Sequence, residues 1–155
     1  MGDILKLDWD NIDFLINCIA DQIQHKRIKF NSIIALGRGG LIPGAALSYK
    51  LGILDLHNLG ISTREDAGRY IDTLVYQKPE SINKKSKILV VDDINDSGRT
   101  FTSVKSILQS EYGIDGNNIH FASLIKRNST EFKDSNTISG NTVYTTSWLQ
   151  FPWDK

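Results

Sequence analysis

The chain reads as an α/β protein built on a mainly parallel central sheet flanked by helices. Two observations predict this. The apolar runs Ser32–Leu36, Ile88–Val91 and Ile119–Ile125 are nearly unbroken, as strands covered on both faces are. Segments with helical periodicity lie between them, so that strands and helices alternate through the middle of the chain.

Taken in order, Trp9 to His25 places Ile12, Leu15, Ile16, Ile19, Ala20 and Ile23 on one face of a helix that Asp8 or Asp10 can cap. Cys18 sits among these residues as a buried packing group. Ser32–Leu36 is a strand, 37–40 a loop, and Pro43 fits the first turn of a helix that runs to Leu51 and stops at Gly52. Leu54–Ile61 suggests a further strand. Ser62–Arg69 is polar, lacks periodicity and reads as a mobile loop, and Tyr70–Gln77 returns as a strand. A polar connector over 79–87 leads into the strand Ile88–Val91, which stops at Asp92 and Asp93. A helix follows from about Thr100 to Tyr112. After Ile119–Ile125 the chain is loop-like over 128–141. A short strand at Thr142–Thr145 and an aromatic tail, Trp148–Trp153, complete it.

The 155 residues suit one domain over 1–155. Eighteen basic and 18 acidic residues balance to zero net charge, which argues against a general nucleic-acid or membrane surface. The lone cysteine excludes an internal disulfide and a cysteine-based zinc site. His25, His57 and His120 have no ligand spacing. The first residues lack a secretory pattern, and no apolar run approaches membrane-spanning length, so a cytoplasmic protein without stable membrane insertion is expected.

Chemistry concentrates in three places. Asp92-Asp93-Ile-Asn-Asp96-Ser97-Gly98-Arg99-Thr100 joins a buried strand to a helix N-terminus. In an α/β sheet that junction is where ligands bind, and its amides and helix dipole make a seat for phosphate. The paired acids suit a divalent cation or a developing positive charge. There is no Gly-x-x-x-x-Gly-Lys-Ser/Thr loop and no Gly-x-Gly-x-x-Gly fingerprint here. Gly37-Arg38-Gly39-Gly40 forms a second strand–loop–helix junction. Its glycines allow close approach of a ligand, and its permanent cation suits a pyrophosphate. The third place is the tail, Ser147-Trp-Leu-Gln-Phe-Pro-Trp-Asp154.

The first stretch resembles the phosphoribosyl-pyrophosphate (PRPP) signature of type I phosphoribosyltransferases: an apolar strand, two acids, two variable residues, then Asp-Ser/Thr-Gly-x-Thr. Arg38-Gly-Gly-Leu-Ile-Pro-Gly44 and the Trp148–Asp154 tail resemble the pyrophosphate loop and tail of the xanthine-guanine enzymes in that family. The resemblance implies the type I phosphoribosyltransferase fold with a small hood, over about 126–155 with an N-terminal contribution, and a flexible flap over about 62–86. It implies transfer of ribose 5-phosphate from PRPP to guanine, xanthine or hypoxanthine, with Mg²⁺, in a homo-oligomer (dimer or tetramer).

By the same resemblance, Arg38, Gly39 and Gly40 bind pyrophosphate. Asp92 and Asp93 contact the ribose hydroxyls and the metal, Asp96 is the general base, and Ser97, Gly98, Arg99 and Thr100 grip the 5-phosphate. In relatives the peptide entering that arginine is often cis, which exposes backbone amides. Trp148 would stack on the base and Leu149 would read it through its main chain. Lys126, after its strand, would donate to a six-oxo oxygen, which an ammonium favours over an amino group because it can only donate. This chain departs from the pattern at Gly37, where relatives have serine, at Gln150, where they have glutamate, and in the flap. Other readings are a phosphoribosyltransferase for another base, a PRPP-sensing regulator without catalysis, and a CheY-like receiver. Receivers carry their acid pair near the N-terminus, whereas here it lies past mid-chain.

Overall fold

The computed structural model describes residues 2–154; Met1 and Lys155, the ends of the domain expected over 1–155, lie outside the described residues. The elements are β1 (Ile4–Lys6), α1 (Trp9–His25), β2 (Ser32–Gly37), α2 (Leu41–Leu51), β3 (Asp55–Asp66), β4 (Arg69–Gln77), β5 (Ile88–Asn95), α3 (Arg99–Ser110), β6 (Ile119–Arg127), β7 (Thr137–Val143) and β8 (Trp148–Gln150). A 3-10 turn, Gly116–Asn118, precedes β6. The central sheet has the order β4-β3-β2-β5-β6-β7, parallel throughout except for the β3–β4 hairpin. A separate parallel pair, β1 with β8, joins the two ends of the chain.

The unbroken apolar runs divide between two cores. Ile33, Leu89, Val91, Ala122 and Leu124 pack with α1 and α2. Their strand neighbours Ile34, Ile88, Val90 and Phe121 face the other way and pack with Phe101, Val104 and Leu108 of α3. Successive side chains of a strand point to opposite faces, so a strand covered on both sides must be apolar at every position. Asp8 starts α1 through a capping box: its carboxylate accepts from Asn11 N–H (2.8 Å), and the Asn11 side chain accepts from Asp8 N–H (2.9 Å).

Several elements differ from the sequence expectations. Ser62–Arg69 is not an aperiodic loop. β3 continues to Asp66, turns through Ala67 and Gly68 with φ of 49° and 76°, and returns as β4. Beyond Ile61 this ribbon is largely exposed on both faces, so no apolar alternation marks it. An Arg64–Asp72 ion pair joins its strands instead.

β5 likewise does not end at the acids. Its ladder with β2 stops at Ala35↔Val91, but the ladder with β6 continues to Asn95↔Lys126. Asp92 and Asp93 therefore lie on the strand, in the segment where β2 no longer pairs with β5 although it still pairs with β3 through Gly37↔Gly60. β6 extends to Arg127, which puts Lys126 on the strand rather than after it. β7 spans Thr137–Val143, where a loop to 141 and a strand at 142–145 were expected. This polar edge strand is defined by its ladder with β6 rather than by local pattern. Cys18 is half-buried and lies outside the core that α1 contributes.

Phe121 is fully buried, 4.9 Å from the Phe101 ring and 4.8 Å from Phe132. Replacing it with Ala should lower the unfolding free energy by about 3–5 kcal/mol, measured by urea titration.

Candidate active site

The carboxyl ends of β2 and β5 are neighbours, and each opens into a loop that starts a helix. Their separation is set by two glycines. A Cβ on Gly40 would fall 2.3 Å from the Val91 carbonyl oxygen, and a Cβ on Gly39 would fall 2.1 Å from Asp93 Oδ2. Only bare backbone fits, so the Gly37–Gly40 loop lies directly against the Asp93 carboxylate. The Gly37–Arg38 peptide is cis. Gly40 N–H is committed to Leu36 O (2.8 Å), and Arg38 O accepts from Leu41 N–H (3.0 Å). The exposed Arg38 makes no ion pair among the described residues.

Asp92 and Asp93 are half-buried at the end of a dry strand. Burial pushes the Asp92 carboxyl well above the usual carboxylate range, and the neighbouring Asp93 charge adds to the effect. Burial also raises Asp93, with the Asp154 charge contributing. Backbone amides oppose this in part: Asp92 Oδ1 accepts from Asp93 N–H (2.9 Å) and Asp93 Oδ1 from Ile94 N–H (2.7 Å). Two adjacent acids held where their charge is unfavourable form a hard oxygen site that attracts a cation. No cluster of three or more metal-ligating side chains occurs among the described residues. Asp92 and Asp93 are the hard oxygen donors that would hold a magnesium ion, with two protein carboxylates leaving its other positions to ligands from outside the chain.

Beyond the acids lies a cleft of about 300 Å³, lined by Thr63, Glu65, Asp92, Ile94, Asn95, Asp96, Ser97, Gly98, Thr100 and Phe101. Gly98, at φ 91°, is the N-cap of α3 and lines this cleft with Ser97 and Thr100, and Arg99 N–H donates to Ser97 Oγ (3.4 Å). A Cβ on Gly98 would meet Phe132 N at 2.7 Å, which seats the loop on the 130–132 segment. The β3–β4 hairpin covers the same loop. Glu65 accepts from Arg99 Nη1 (2.7 Å), Thr63 and Thr100 share a hydroxyl hydrogen bond (2.9 Å), and Arg99 lies 5.4 Å over the Tyr70 ring. Tyr76 Oη donates to Gly37 O (2.9 Å), so the hairpin touches both junctions.

Lys126 is paired in register with Asn95, one residue before Asp96. Trp148 is 68 % exposed, whereas Leu149 and Phe151 are buried. Phe151 stacks on Trp153, with rings 5.0 Å apart and nearly parallel. Ribbon β1–β8 and an Arg127 contact to Ser147 O (2.8 Å) fix the start of this tail beside β6.

The structure thus gathers the three sequence constellations at one edge of the sheet. Two details differ. The Arg99 guanidinium turns toward Glu65 and Tyr70 of the hairpin, and Gly40 N–H is internally bonded. Residues that sequence reading passed over are Glu65 and Thr63, hidden in an aperiodic stretch, Asn95, and Arg127. The position of Arg127 just after Lys126 at a strand's carboxyl end was the available signal. A larger cavity of about 550 Å³, lined by Arg27, Lys50 and Phe30 among others, contains no carboxylate.

The phosphoribosyl transferase domain family matches residues 7–154. The chain is 29 % identical over 148 residues to a xanthine-guanine phosphoribosyltransferase of Gluconobacter oxydans, covering 94 % of this chain and 82 % of that one. It is 27 % identical to the xanthine-guanine phosphoribosyltransferase of Vibrio atlanticus, covering 99 % and 91 %. The fold superposes on a purine phosphoribosyltransferase from Pyrococcus horikoshii with a TM-score of 0.81 at 24 % identity, covering 99 % and 95 %. No helix among the described residues is long and apolar enough to cross a membrane.

A carboxyl whose folded pKa is raised contributes stability while protonated, and that stability is lost as pH rises from the unfolded value through the folded one. Asp92→Asn should therefore melt higher than the parent at neutral pH in the absence of ligand. The difference should shrink toward the unfolded carboxylate pKa of about 4. Scanning fluorimetry between those limits checks it, and a pH-independent difference would remove the burial effect on Asp92.

Proposed function

This chain belongs to the phosphoribosyl transferase domain family, and from that premise we propose that it transfers the ribose 5-phosphate of PRPP to a 6-oxopurine and releases pyrophosphate. Guanine, xanthine and hypoxanthine are the bases intended, in keeping with the two xanthine-guanine relatives. The observation that carries the reading is the contact of the Arg38–Gly39 loop with Asp93, beside the polar cleft that Asp92 lines at the start of α3.

In this reading Arg38 and the loop backbone hold the pyrophosphate, and Ser97, Gly98, Arg99 and Thr100 receive the 5-phosphate, mainly through amides and hydroxyls. Asp92 and Asp93 hold Mg²⁺ and the ribose hydroxyls, the ion supplying charge neutralisation for the leaving pyrophosphate. As the bond from the anomeric carbon to pyrophosphate oxygen breaks, the ribose gains oxocarbenium character, which the nearby carboxylates stabilise. The bond to the purine nitrogen then forms, and Asp96 accepts the proton that the purine's imidazole edge loses.

Trp148 offers an exposed ring face for stacking, worth about 1–3 kcal/mol. Lys126 donates to the six-oxo oxygen, and the Leu149 main chain reads the far edge. The segment over about 62–86 acts as the flap, its hairpin excluding water from the cleft. Exposed Tyr49, Leu54 and Leu56 support a homo-oligomer, a dimer or tetramer. A cytoplasmic location fits the supply of both substrates.

Incubation with PRPP, Mg²⁺ and each of guanine, xanthine, hypoxanthine and adenine should yield nucleotide from 6-oxopurines and little from adenine. No nucleotide from any base would sink the reading. Asp96→Asn should cut turnover by about 10²-fold or more while leaving PRPP affinity little changed. For Arg38→Ala, calorimetry should find PRPP and pyrophosphate bound more weakly, and parental affinity for both would remove the loop from the site.

A further inference from the structure

We propose that Arg127 is a positioning residue that couples the base side of the cleft to Asp96; this rests on the purine-transfer reading above. Arg127 ends β6 immediately after Lys126, and only 12 % of its side chain is exposed. Every nitrogen of its guanidinium has a partner. Nε pairs with Asp96 Oδ1 (2.8 Å), Nη1 donates to Thr145 O (2.7 Å) and Nη2 to Ser147 O (2.8 Å). A guanidinium is a rigid planar fork, so these three acceptors are held in one fixed relation.

Neither group is otherwise well restrained. The Asp96 side chain is 64 % exposed, and Arg127 is its sole ion-pair partner among the described residues. The 145–147 turn is internally tied only by Ser147 N–H to Thr145 Oγ1 (3.0 Å) and the hydroxyl pair Thr145–Ser147 (2.7 Å). It leads directly into Trp148. One side chain rooted in the sheet therefore ties Asp96 to the turn that enters β8, where Trp148 is held in addition by the ladder with β1 and by its N–H donating to Asp3 O (3.0 Å). Because the pair engages Oδ1, Oδ2 of Asp96 is left for the purine proton.

A lysine in this place could retain a charge contact with Asp96 but could not also hold both carbonyls, since it presents a single nitrogen. The two parts of the role are thus separable. Arg127→Met should lower kcat and raise KM for the base, each by about tenfold or more, with KM for PRPP within about twofold of the parent. Arg127→Lys should restore most of kcat while KM for the base stays high. In an Asp96→Asn background, Arg127→Met should still raise KM for the base but should cost no further kcat.

Equal rises in both KM values, parental behaviour of Arg127→Lys in both parameters, or the same kcat loss with and without Asp96 would each overturn the role. If Arg127→Met does not fold, Arg127→Lys and its double variant carry the same comparison. Failure of the underlying reading is distinct, because the parent enzyme would then form no purine nucleotide at all.

Discussion

The arrangement depends on a contact that only bare backbone can make. At Gly39 and Gly40 the loop after β2 lies against the Val91 carbonyl and the Asp93 carboxylate, at separations that any side chain would close. Neighbouring parallel strands already bring their carboxyl ends within reach, but the glycines let the two loops merge into one surface. That merger sets an arginine-bearing loop against Asp93, while Asp92 lines the cleft at the start of α3.

The cost of this surface is electrostatic. Asp92 and Asp93 lie on a strand whose preceding residues, Ile88 to Val91, are fully buried, and burial disfavours their charge. In the proposed function a cation with its own anionic ligands would relieve that penalty, coupling ligand binding to local stabilisation. The trade is typical of binding sites, where geometry is kept at the expense of stability. A net charge of zero hides it, because the imbalance is local.

The β3–β4 hairpin relates to this surface differently from the rest of the sheet. Its contacts with the loops are hydroxyls, one exposed ion pair and one tyrosine: Thr63–Thr100, Thr73–Ser103, Glu65–Arg99 and Tyr76–Gly37. Exposed ion pairs and single hydroxyl bonds are individually weak, on the order of 1 kcal/mol or less. The hairpin is thus held to the loops by individually weak polar contacts. Arg127 is the opposite case, a nearly buried fork in which one ion pair and two hydrogen bonds act together.

Much of this was legible in the residues alone. Unbroken apolar runs at Ser32–Leu36, Ile88–Val91 and Ile119–Ile125 announced a buried parallel sheet, since dual coverage forces apolarity at every position. Asp8, Pro43 and Gly52 marked helix ends through local chemistry, and the two glycine-bearing junctions were visible as strand–loop–helix transitions. What escaped were features without a local signature. The β3–β4 hairpin and β7 are polar because they lie in exposed or edge positions, and β1 and β8 are three-residue strands defined only by each other. The continuation of β5 through its acids depends on β6 extending past the point where β2 departs. Local composition determined which residues are apolar, which turns are tight and which side chains carry chemistry. Which of those residues meet, Arg127 with Asp96 and Gly39 with Asp93 above all, was decided by the tertiary fold, because contacts across 31 or 54 positions follow from strand order and register rather than from neighbours in the chain.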